Sequence, residues 1–260
     1  MIAHWDDVPP DQDLAQAAGA IAVSLLRIEL AAGEERELPQ RQTEDVLFVV
    51  SGGTDTLRSG DCVVYPAPHD APTLRAGEDG MTALLFATPA QLPPFHSGAP
   101  EQPRTINLAD ADSAYEGDAG RWVQLARQAG ARHAGVNYGH LEAGHDGAPP
   151  HCHSADEEIF VFLDGSAEFE LWPSPANVLE HDAEKETIDV RGGHVVSRPP
   201  STGVSHALRA GPTGARFLVY GTRRPNDVCY YPRSNKIYWR GLGLIARLEP
   251  LRYDDGEPQD

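Results

Sequence analysis

GAPPHCHSADEEIFVFLDG, residues Gly147–Gly165, joins metal-ligand spacing to a β-strand pattern. His151 and His153 stand two residues apart, Glu158 follows five residues later, and six mostly apolar residues separate it from Gly165. On a strand, residues i and i+2 point to one face, so both imidazoles can aim at one point. The run Glu158–Leu163 reads as a strand returning beside them with its carboxylate at the same place. Neutral imidazole nitrogen and carboxylate oxygen are ligands for a first-row divalent metal. A fourth ligand, His206, is expected from the later segment Gly192–Gly211, GGHVVSRPPSTGVSHALRAG.

These residues resemble the two motifs of the cupin superfamily. The first has the form G…HxHxxxxE with a glycine seven residues past the Glu, met by His151, His153, Glu158 and Gly165. The second, G-x5-P-x-G-x-x-H, is echoed by Gly193, Pro199, Gly203 and His206, with Pro199 and Gly203 further apart than the pattern has them. The resemblance implies His151, His153, Glu158 and His206 as the metal set. It also implies an all-β fold of two tandem cupin barrels, of the double-stranded β-helix or jelly-roll kind.

Composition agrees with such a fold. The 260 residues are 40% hydrophobic, enough for a proper core, and 25 Gly with 22 Pro imply many turns between short strands. A formal net charge of −18 argues against nucleic acid or an anionic membrane as partner and leaves a small-molecule substrate. No run approaches membrane-spanning length, and MIAHWDDVPPDQD has neither a basic nor an apolar leader segment. Cys62, Cys152 and Cys229 form no even framework, so a cytoplasmic, reducing location is expected. By alternation Cys152 should face away from the metal.

The chain repeats itself. ELPQRQTEDVLFVVSGG and SGDCVVYPAPHDAPTLRAG parallel PHCHSADEEIFVFLDGS and GGHVVSRPPSTGVSHALRAG. Laying Gly52 on Gly165 puts Asp45 on Glu158, Gln40 on His153 and Leu38 on His151, while the shared LRAG puts Pro72 on His206. Leu38 and Pro72 cannot bind a metal through their side chains, and His69 falls three residues short of the ligand slot. The first copy is also shorter, with Gly52 and Gly60 eight residues apart against twenty-seven for Gly165 and Gly192. A degenerate N-terminal barrel over 1–88 is expected, then a proline-rich linker over 89–118 and a metal-binding barrel over 119–222. RWVQLARQAG, Arg121–Gly130, could pass for a short helix but in a cupin reads rather as an opening strand, and Gly135–Gly144 as the strand leading into the metal motif. The remaining 223–260 gathers Arg223, Arg224, Arg233, Lys236 and Arg240 with tyrosines. It looks like the extension of a group of bacterial bicupins with a G-x-R-x-P-x-D…YP segment. It would cover the substrate mouth, clamp a partner, or lie as a strap against the protein's own carboxylates.

Three histidines and a carboxylate leave one or two coordination positions open, the mark of a catalytic rather than a closed structural site. Iron or manganese would support a dioxygenase or decarboxylase, with Fe2+ or Mn2+ favoured. Zn2+, Ni2+ or Co2+ would support isomerase, lyase or hydrolase chemistry. Phe160 and Phe162, at i+2 and i+4 from Glu158, would floor an apolar substrate pocket. Tyr138 and His140 on the preceding strand are candidates for an acid and a base. His145, His181 and His194 lack partners at ligand spacing. The expected function is a metal-dependent oxidoreductase of dioxygenase type acting on a small organic molecule, as a homodimer. The alternative is a bicupin that binds a small molecule without turning it over.

Overall fold

The computed structural model describes the chain except residues 11, 40–42, 71, 89–101, 174–183, 250, 252–254 and 257–260. Antiparallel strands dominate and fall into two barrels that follow the sequence repeat. The first barrel has a five-stranded sheet in the order Ser24–Leu30, Met81–Ala87, Asp45–Gly52, Asp61–Tyr65, Arg104–Asn107. A two-stranded sheet, Glu35–Glu37 with Thr73–Arg75, belongs to the same half. The second barrel runs Ile2–His4, His194–Arg198, Glu158–Trp172, Ser205–Thr222, Ala134–Leu141, Gly120–Val123, Ser113–Gly117, with Glu186–Arg191 also paired to Glu158–Trp172. The aligned glycines Gly52 and Gly165 both turn with positive φ, 66° and 76°, where a side chain would be strained.

Why the central strands are apolar on both faces follows from the packing. Phe160, Phe162 and Phe169 point into the second barrel's own interior, while Ile159 and Val161 point the other way, into a core shared by both halves. Val46 and Phe48 of the first half meet that shared core, and Leu47 and Val49 fill the first barrel. Strands buried on both sides lose the polar alternation that marks a solvated sheet. At the centre, Phe86 and Tyr220 stack at 4.8 Å and 24°. Both occupy the same place in the repeat.

The halves also exchange strands. Ile2–His4 pairs with His194–Arg198 in the second barrel, Ile2 opposite Val196, and Arg104–Asn107 pairs with Asp61–Tyr65 in the first, Asn107 opposite Asp61. The expected boundaries at 1–88, 89–118 and 119–222 therefore do not separate the barrels. The beginning of the chain joins the second sheet, and part of the span read as a linker completes the first. Residues 89–101 of that span lie outside the described residues. Arg121–Gly130 is a strand only as far as Val123; Leu125–Gln128 is a helical turn. Its counterpart is Leu14–Ala17, and each is closed by a glycine at positive φ, Gly19 and Gly130. A period-2 reading missed it because four residues are too few to show a helical period.

The C-terminal extension is not loose. Val228–Tyr231, Lys236–Trp239 and Leu244–Arg247 build a small sheet on Cys152–His153, with His153 opposite Cys229. No helix among the described residues is long and apolar enough to cross a membrane.

Candidate metal centre

Four elements deliver the donor set. Glu158 opens the Glu158–Trp172 strand and His206 follows Ser205 on its neighbour. His151 is tied to His206 by reciprocal backbone hydrogen bonds of 3.1 and 2.8 Å. His153 sits in the short strand that the C-terminal extension holds. The three imidazole Nε2 atoms of His206, His153 and His151 stand 3.0, 3.4 and 3.9 Å from one Glu158 oxygen, Oε2. His153 Nε2, His206 Nε2 and Glu158 Oε2 are buried with no hydrogen-bond partner. Orphaned buried donors of this kind are costly unless something fills the space between them. Convergent N, N, N and O lone pairs fit a divalent cation.

The far side of each ring is committed. His151 Nδ1 lies 2.8 Å from Pro149 O, so it donates there and turns its Nε2 lone pair to the site. His153 Nδ1 donates to Asp227 Oδ2 at 2.7 Å. His206 is clamped between Phe169, stacked at 5.8 Å, and Phe160, edge-on at 5.2 Å. Burial pushes the His206 imidazole down to about 3, so it is a neutral ligand over the ordinary pH range. Burial lowers His151 as well. His153 goes the other way: burial opposes its protonation, but Glu158 and Asp227 on either side carry it well above the usual histidine range. Glu158 is held well below the usual carboxylate range by His153 and His206 in spite of its burial.

Asp227, the aspartate of the P-x-D pattern in the extension, carries no mark in the sequence of the ring it meets. Besides His153 it accepts from the Ala155 and Asp156 amides at 3.0 and 3.1 Å and pairs with Arg240 at 3.3 Å. Arg240 also donates to Asp156, which takes the Arg224 amide at 2.7 Å and the Thr222 hydroxyl at 3.1 Å. The basic residue of the extension nearest the site thus meets the protein's own carboxylates. Tyr231 stacks on His151 at 5.7 Å and 25°, and Cys229 is the thiol that faces the histidines, at a donor position with His151 and His153. Removing the outer carboxylate by Asp227→Ala should weaken metal binding about 10- to 100-fold, read by competition with a chromogenic chelator. Unchanged affinity would mean that His153 holds its orientation without Asp227.

Beside the donor set opens a cavity of about 480 Å³, bounded by His151, Glu158 and His206 at one end and Trp122 and Phe217 at the other, with Phe160 and Asn137 on the wall between. Phe160 lines it, whereas Phe162 lies deeper in the barrel core, fully buried against Phe217 at 5.8 Å. Tyr138 must be corrected. It projects from the opposite face of its strand into the core shared by the barrels, where burial raises its hydroxyl pKa, and it cannot reach the donor set. Asn137 and Gly139 face the cavity instead. His140 borders the cavity on Tyr138's phase of the strand, with Nε2 3.7 Å from Glu142 Oε1. Gly139 is required here: a Cβ would stand 2.5 Å from the Phe217 ring.

The corresponding place in the first barrel is closed. Leu38, Leu47, Tyr65 and Leu85 fill its interior. Asp45, at the Glu158 position, lies 3.3 Å from His69 Nε2 and accepts from Thr43. Gln40 and His181 lie outside the described residues.

No family model and no curated protein match the sequence. Solved structures do match in shape. The formate complex of Lactobacillus farciminis oxalate decarboxylase superposes with a TM-score of 0.65 at 13% identity, covering 87% of each chain. A mutant of Bacillus subtilis oxalate decarboxylase gives 0.63 at 14% identity, covering 85% of this chain and 76% of that one. The chain has the all-β, double-barrel jelly-roll fold of these bicupins.

Proposed function

We propose that this protein is a metal-dependent enzyme of the cupin type that acts on a small organic molecule. His151, His153, Glu158 and His206 bind one divalent ion in the second barrel, and the first barrel serves as scaffold. The observation that carries this reading is the convergence of three unpartnered buried donor atoms beside an open cavity. A closed structural site would have no such cavity at its door. Manganese is favoured with iron next; a Bacillus subtilis oxalate decarboxylase of the same fold is described as having Mn(II) centres.

An ion so held supplies Lewis-acid and one-electron chemistry to whatever oxygen atoms occupy its open positions. The chain's own residues do the rest. Phe160 and Phe169 fix the His206 ring, Asp227 fixes His153, and Trp122, Phe217 and Val219 keep bulk water from the substrate's body. Dioxygenase chemistry is the leading reaction type. Decarboxylation is the second, favoured by the names of the structural neighbours.

Elemental analysis of protein purified without chelator or nickel resin is the test. About one manganese or iron per chain is expected, with a higher melting temperature in the loaded protein than in the stripped one. Oxygen uptake against carbon dioxide release then separates the two reaction types. A chain that holds no metal and takes none up on reconstitution overturns the proposal.

A further inference from the structure

The cavity beside the donor set says more about its occupant than that it is small. At about 480 Å³ it falls within the roughly 300–1,000 Å³ of pockets that enclose drug-sized ligands, far more room than a two-carbon acid needs. Its wall is laid out in rows by the strand register. Glu158 stands opposite Gly221, the next inward row is Phe160 and Val219 with Asn137, and the row beyond is Phe162 and Phe217 with Gly139. Each inward step is about 7 Å along a strand. The far end, at Trp122 and Phe217 two steps from Glu158, is therefore well beyond the reach of a molecule of oxalate's size bound at the metal end, and Asn137 stands on the wall between, in the Phe160 row.

Two features of the cavity wall define the ligand. Asn137 presents a buried carboxamide oxygen with no hydrogen-bond partner in an otherwise apolar row. Such an orphan marks where a ligand hydrogen-bond donor belongs. Among the described residues no lining arginine or lysine is left over for a second carboxylate. Arg121, the one arginine on the wall, spends its guanidinium on the Ser113 hydroxyl, the Leu108 and Ala111 carbonyls and Glu116. An unpaired carboxylate brought there would be desolvated at great cost.

Resting on the metal reading above, we propose that the cavity selects substrates of three parts. These are an oxygen-chelating head on the ion, a ring-sized apolar body between Phe160, Phe217 and Trp122, and a neutral hydrogen-bond donor about one row from the ion, read by Asn137 on the side wall. Short dicarboxylates are not its substrates. Asn137 is a specificity residue, and Gly139 is glycine because Phe217 must lie flat where a side chain would stand.

A ladder of probes sharing one chelating head tests this. Acetohydroxamate, benzohydroxamate and 4-hydroxybenzohydroxamate are titrated calorimetrically into the Mn(II)-loaded protein, with oxalate as comparator. Adding the ring should tighten binding about 10- to 100-fold, the value of burying one aromatic side chain's worth of apolar surface. The para hydroxyl should add about fivefold more, and Asn137→Leu should abolish that last step while leaving the ring step intact. Oxalate binding as tightly as benzohydroxamate, or a ring step below twofold, overturns the proposal. So does a hydroxyl step that survives in Asn137→Leu. The metal reading fails separately. If the chain takes up no Mn(II), the same ladder on the metal-free protein still reads the ring step, because Trp122, Phe160 and Phe217 are in place without an ion.

Discussion

His206→Ala abolishes metal binding while leaving the protein folded. The prediction is strong because His206 is the donor nearest Glu158, at 3.0 Å, and the most buried of the three histidines, with 3% of its side chain exposed. Loss of a direct ligand should exceed the roughly 10–100-fold that loss of an outer partner costs. The expected drop is more than about 100-fold, with no metal retained through desalting. Folding survives because the strand is held by backbone bonds to His151 and by the long ladder with Glu158–Trp172, neither of which needs the imidazole. Far-ultraviolet circular dichroism and a thermal melt of the metal-free variant should match the metal-free parent within a few degrees. Full metal occupancy in this variant would remove His206 from the site.

The donor set was legible in the sequence because it depends on local spacing. Two histidines at i and i+2 share a face whatever the rest of the fold does, and the Glu158 strand follows within five residues. The repeat was legible for the same reason, since turn glycines such as Gly52 and Gly165 recur where the backbone needs positive φ. What escaped was the phase of a strand buried on both sides. In GVNYGHLEAG, Val136 and Tyr138 face one core while Asn137 and Gly139 face the cavity, and neither set looks more like an interior than the other. Tyr138 carries acid–base chemistry on either face, and the Asn137–Gly139 face is hard to read because glycine carries no signal of burial.

Long-range partners escaped too. Asp227 is 74 residues from His153, and nothing near it says which ring it will meet. Nor do four residues at Arg104–Asn107 reveal which barrel's edge they complete. These contacts place the extension and the strand exchange inside the functional unit. A cut at residue 223 would take away the carboxylate behind His153, and a cut near residue 118 would leave the second barrel without its Ile2–His4 edge.

That mutual dependence sets the other large expected effect. Glu44 in the first half and Glu157 in the second occupy the same place in the repeat, one residue before Asp45 and Glu158. Each reaches into the opposite half and accepts three backbone amides. Glu44 takes Arg132, His133 and Ala134 at 2.8, 2.9 and 3.0 Å; Glu157 takes Ile21, Ala22 and Val23 at 2.8, 2.7 and 3.1 Å. Both carboxylates are almost wholly buried, at 2% and 1% exposed. The amides are the direct partners of each carboxylate, with the Arg223 guanidinium also within electrostatic reach of Glu44, so the amides carry most of the cost of burying the charge. Glu157→Gln keeps the shape but turns an NH2 toward amides that need an acceptor, leaving at least one of them orphaned. Weakening the charge-assisted bonds and orphaning one buried amide costs about 2–4 kcal/mol, and the same is expected of Glu44→Gln. Urea melts should therefore show each variant destabilised by about 2 kcal/mol or more. One cooperative transition should remain in each, because both cores share Phe86 and Tyr220 and neither barrel has its full sheet without the other. Two separated transitions, or a loss below about 1 kcal/mol, would show that the barrels fold independently and that these carboxylates only decorate their contact.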